Sequence, residues 1–91
     1  MAIAMLVEFP KMTAEIYDEV LAEMMRDFGA PAGRTFHAAG PFEGGWRVFD
    51  VWEHQEQFDT FAKEQIGPIS AKHGVTDPPK ITRWPVHNQL P

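Results

Sequence analysis

His37 and Asp50 flank the stretch Pro41-Phe42-Glu43-Gly44-Gly45, which reads as a turn between two extended runs. With Gly40 opposite Gly45, His37 falls opposite Val48 and Thr35 opposite Asp50. That register leaves His37 and Asp50 as diagonal neighbours on one face, close enough to meet directly or through a water. A carboxylate beside an imidazole fixes its tautomer and raises its basicity, as a general base abstracting a phenolic or enolic proton requires. The alternative is that Asp50 anchors a buried hydrogen bond without any chemistry, since buried polar groups must be paired in either case. Trp46 and Trp52 share the Asp50 face of their strand, and such an aromatic wall suits a flat apolar ligand or a plain core. Trp84 carries the same ambiguity, and His87, near the chain end, either lines a pocket or bonds across a subunit contact. His54 and His73 sit at the two ends of a second helical stretch and read as surface residues.

Other chemistries are excluded by residue type. The chain has no cysteine, so it offers no disulfide, no thiolate ligand and no sulfur nucleophile. No paired histidines at ligand spacing and no acidic cluster on a strand appear, so no metal and no cofactor are expected. There is no nucleophile elbow, P-loop or dinucleotide fingerprint.

The elements that must position the pair follow from hydrophobic period. Residues 2–9 alternate, with Ile3, Met5, Val7 and Phe9 on one side and Ala4 and Leu6 on the other, so both faces of a first strand are apolar. Thr13 suits an N-cap, with Glu15 in the first turn. Ile16, Tyr17, Val20, Leu21, Met24, Met25 and Phe28 then form a helical stripe that Gly29 and Pro31 end. Residues 34–40 and 46–53 make the hairpin, the second arm being apolar on both faces like a central strand. A second helix starts at Gln55, buries Phe58, Phe61, Ala62, Ile66 and Ile69, is disturbed at Gly67-Pro68 and ends at Gly74. Residues 80–88 supply a last strand, placed at an edge because Pro85 cannot donate to a ladder.

The order β-α-β-β-α-β is α+β and ferredoxin-like: one domain over residues 1–91, with a four-stranded antiparallel sheet in the order 4-1-3-2 and both helices on one face. A chain of 91 residues has a thin core. Its two central strands are apolar on the face that the helices leave bare, and a second copy is the simplest cover, so a homodimer is expected. A net charge of −5 disfavours nucleic acid and anionic membranes as partners. The first apolar run stops at Glu8, too short for a leader or a span, which points to the cytoplasm.

The run Gly44-Gly45-Trp46-Arg47-Val48-Phe49-Asp50-Val51-Trp52-Glu53, followed by a helix with Phe58 and Phe61, resembles the dimeric α/β-barrel proteins grouped with antibiotic biosynthesis monooxygenases. The resemblance spans nearly the whole chain. It implies sheet-to-sheet packing of two subunits into a barrel, with a pocket between each sheet and its helices. It also implies a cofactor-independent enzyme, a monooxygenase, isomerase or cyclase, acting on a small apolar aromatic or polyketide-like compound. On that reading His37 and Asp50 are catalytic, and Trp46, Trp52, Trp84 and His87 bind substrate. A non-catalytic homodimer that binds a ligand or serves a structural role is the alternative.

Overall fold

The computed structural model describes Met1 to Pro91. Alternation at the start of the chain becomes β1 (Ile3–Pro10), with Met5, Val7 and Phe9 buried on one side and Ala4 on the other. Thr13 caps α1 (Ala14–Asp27), its hydroxyl accepting from the Ile16 amide at 3.2 Å. The hairpin is β2 (Arg34–Phe42) and β3 (Gly45–Trp52). Then come α2 (Gln55–Phe61), a π-turn over Ala62–Ile66, α3 (Gly67–Lys72) and β4 (Lys80–Pro85). All strand pairs are antiparallel, in the order β2-β3-β1-β4, which is the expected 4-1-3-2 read from the other edge. The ferredoxin-like arrangement is thus present in full.

The hairpin register differs from the sequence expectation. Gly40 faces Arg47, and Phe42 faces Gly45, so β2 runs two residues further and the loop shrinks to Glu43 and Gly44. Pro41 did not end the strand because β2 is an edge strand, where a missing amide costs no ladder bond. Gly44 takes φ +92, and a Cβ on Gly45 would lie 2.1 Å from the Phe9 carbonyl oxygen, so both glycines are demanded, one by the turn and one by close backbone approach. A slip of two residues preserves the side-chain faces and merely moves His37 directly opposite Asp50.

The core lies between the sheet and the helices. Trp52 is fully buried, with Phe58 edge-on at 5.8 Å and Phe61 tilted at 5.3 Å. Only part of the α1 stripe joins them: Val20 and Met24 are buried, whereas Met25 and Phe28 are exposed. A periodic stripe wider than the surface it packs on leaves its flank in water. The second helix is broken where Gly67-Pro68 required it. Pro68 has no amide for the Glu64 carbonyl, and the ladder slips one place, the Gly67 amide bonding the Ala62 carbonyl across five residues. Helices α1 and α3 are tied by Glu23, which accepts from Lys72 at 3.1 Å and contacts His73 at 2.9 Å. Those contacts, His73 first and Lys72 second, hold its carboxyl below the usual carboxylate range. The last strand ends at Pro85 rather than at Asn88, and just beyond it the Val86 amide bonds the Ala2 carbonyl.

Candidate functional site

Cross-strand pairing places His37 and Asp50 side by side on the helix-covered face. His37 Nδ1 lies 2.6 Å from Asp50 Oδ1. A carboxylate can only accept, so Nδ1 carries the proton and Nε2 presents its lone pair. Asp50 is 2% exposed, and its other oxygen accepts from Trp52 Nε1 at 3.3 Å. Both carboxylate oxygens are therefore engaged, and the imidazole is held in one orientation and one tautomer.

The Nε2 lone pair accepts from the hydroxyl of Tyr17 on α1, at 2.5 Å. Tyr17 is the sole tyrosine of the chain. In the sequence it stood as one member of the apolar stripe; the usable signal was that a half-buried phenol needs a partner for its hydroxyl. Burial pushes the Tyr17 phenol above its ordinary pKa, Arg34 opposes the rise, and Asp50 and Asp18 add to it. Tyr17 therefore stays a neutral donor at physiological pH. The relay Tyr17–His37–Asp50–Trp52 joins helix to sheet through four side chains.

Arg34 reaches the same place by a backbone device. The β2–β3 register shifts between Arg34 and Phe36, and the Thr35 hydroxyl donates to the Val51 carbonyl at 3.3 Å beside the break. Without this bulge, Arg34 would share the face of Phe36, away from the helices; with it, Arg34 pairs with the inward Trp52. Its guanidinium lies over the Phe61 ring at 5.8 Å. Simple alternation could not reveal this, since it assigns Arg34 to the opposite face.

Tyr17, Arg34, His37 and Asp50 line one wall of a cavity of about 50 Å³, whose remaining wall is mostly apolar, including Val7, Met24 and Phe61. The candidate aromatic residues stand elsewhere. Trp52 lies behind the site and orients Asp50, and Trp46 packs on Tyr17 with ring centres 5.4 Å apart. Trp84 and His87 are on the other side of the sheet, in an open hollow of about 530 Å³ with Ala4, Phe36, Phe49 and Val51. The structure thus brings together His37 and Asp50, adds Tyr17 and Arg34, keeps Trp46 and Trp52 in support, and separates Trp84 and His87 from them. No cluster of histidine and acidic side chains suited to holding a metal ion is assembled.

No protein-family profile and no curated protein matches the sequence. Solved structures do match in shape. A protein of unknown function from Nitrosomonas europaea superposes with a TM-score of 0.70 at 21% identity, covering 99% of this chain and 94% of that one. The cofactor-independent oxygenase SnoaB from Streptomyces nogalater gives 0.67 at 15% identity, over 99% of this chain and 97% of its own. A protein from Deinococcus radiodurans assigned to the antibiotic biosynthesis monooxygenases gives 0.60 at 16%, over 100% and 97%. The chain has the fold of the antibiotic biosynthesis monooxygenase-like proteins, as the resemblance in its sequence implied.

Proposed function

We propose that this chain is a cofactor-independent oxygenase-like enzyme for a small apolar hydroxyarene, with His37 as general base and Asp50 as the residue that orients it. The observation that carries the reading is the oriented imidazole, with its lone pair turned toward Tyr17 and an apolar cavity at the buried side of the sheet. Removing a phenolic proton enriches the ring in electrons, which is the state that reacts with dioxygen, and Arg34 is placed to offset the negative charge that results. General-base catalysis of this kind is worth about 100- to 10,000-fold. A substrate hydroxyl either displaces the Tyr17 hydroxyl at Nε2 or passes its proton through it.

The working unit in this reading is a homodimer. Support comes from the helix-free face, where Phe36 is 46% and Trp84 43% exposed, and both flank Phe49 with ring centres 6.0 Å away. A connected aromatic patch of this kind on a small protein marks a contact surface. No helix is long and apolar enough to cross a membrane. The rival reading, in which the relay only fastens α1 to the sheet, is favoured by the present size of the cavity.

Oxygen uptake and absorbance changes with a panel of phenols and quinols under air separate the two. The expected result is turnover that falls at least about 100-fold in both His37→Ala and Asp50→Asn while circular dichroism stays unchanged. Full activity in both variants would end the catalytic reading. Tyr17→Phe distinguishes displacement, which it leaves intact, from relay, which it abolishes.

A further inference from the structure

The cavity beside His37 is too small for an aromatic ring, since ligand pockets usually measure about 300–1,000 Å³. A second hollow of about 200 Å³ lies against it under α3, and the two share Phe9, Ile66 and Ser70 as lining. Its other walls are Gly67, Ala71 and the connector at residues 75–79. Ile66 closes the π-turn, where the helical ladder has slipped, and such turns occur frequently at functional sites.

Ser70 sits at this junction with 4% of its surface exposed, and its hydroxyl has no protein partner. A buried hydroxyl is normally paired, and a serine on a helix can return its proton to the carbonyl one turn back; Ser70 does neither. With Phe9 and Ile66 it borders both hollows, and Phe9 is on β1, two strands across the sheet from His37 on β2 and four residues along β1 from Met5, which is level with Asp50.

We infer that the two hollows form one binding channel, that the Ile66 side chain is the partition within it, and that the Ser70 hydroxyl is a second anchor. The ligand is then an elongated hydroxyarene with oxygens at both ends, its reacting hydroxyl at His37 and its distal oxygen at Ser70. This rests on the functional reading above and extends it from the base to the determinant of substrate length. Access runs between the π-turn and the 75–79 connector, and opening it requires only that Ile66 swing aside.

Binding of two probes, followed by tryptophan fluorescence, tests this: naphthol, with one oxygen, and a naphthalene diol with hydroxyls at opposite ends. Ser70→Ala is expected to weaken the diol about 5- to 10-fold, as loss of one neutral hydrogen bond does, and to leave naphthol within about twofold. Ile66→Ala is expected to speed association of both probes, and Ile66→Trp to slow it. Ser70→Ala should melt at or above the wild-type temperature, because an unpaired buried hydroxyl is removed; Ser70→Cys, nearly the same size, serves if it does not fold. The second anchor is overturned if Ser70→Ala affects both probes alike while His37→Ala weakens both. Unchanged association rates in the Ile66 variants would overturn the partition. If His37→Ala alters neither probe, or the wild type binds neither, the base assignment falls and this inference with it.

Discussion

The two faces of the sheet use aromatic side chains in opposite ways. On the face under the helices, Trp52 is wholly buried and its ring nitrogen is spent on Asp50, so apolar packing and polar pairing fix the same atoms. On the open face, Phe36 and Trp84 each pack on Phe49 with ring centres 6.0 Å away, make no hydrogen-bonded polar pair, and are themselves nearly half exposed. The contiguous core of 12 buried residues belongs to the closed face, and Ala4 and Val51 are the buried apolar residues of the open one. In the proposed reading the faces have separate tasks: order for chemistry on one, adhesion on the other.

The largest effect that can test this division is at Trp52. Trp52→Ala removes the ring against Phe58 and Phe61 and strips Asp50 of one partner. The expected loss is about 3–5 kcal/mol in urea unfolding, a large share of the roughly 5–15 kcal/mol that a domain usually has. Trp84→Ala should cost the isolated protomer far less, because its ring is already 43% exposed. Equal losses at the two positions would erase the contrast between the faces.

Next in size is a charge on the open face. Phe49→Asp sets a carboxylate in the middle of the aromatic patch, and twofold symmetry inserts it twice. Dimer affinity should weaken by at least about 100-fold, seen as a fall to protomer mass in sedimentation, while His37 and Asp50 keep their contact. A wild-type protein that already sediments as a protomer would refute the adhesive role of this face. A Phe49→Asp protein that stays dimeric would place the contact elsewhere.

The closed face was also the more legible of the two in the sequence, up to a definite point. Period and capping residues located every strand and helix, and the face shared by His37 and Asp50 survived a two-residue error in register because strands repeat every two residues. Features that depend on a break in periodicity stayed hidden. Alternation puts Arg34 with Phe36, and only the bulge at Thr35 turns it inward. Tyr17 looked like one more apolar stripe residue, because its contact with His37 joins elements distant in the chain. Residue type groups Trp84 and His87 with the site, whereas β4 alternation carries Trp84 to the open side with Ala4, its partner on β1. Residue type proposes chemistry; the side of the sheet decides which residues take part.

The smallest expected effect probes the electrostatics of the closed face, and the chain's single tyrosine makes it clean. Phenolate absorbance should titrate above the ordinary 10.0, because burial disfavours the ionised form. Arg34→Gln removes the influence that opposes this rise and should move the midpoint further up; Asp50→Asn removes a negative neighbour and should move it down. The sign for stability follows from linkage. With a folded value above the unfolded one, the phenol's contribution is complete below about pH 10 and declines as pH rises through the folded value. Tyr17→Phe should flatten that decline. A midpoint at or below the ordinary value in the wild type would mean that water reaches the phenol freely, and then the face under the helices would not be closed around His37 at all.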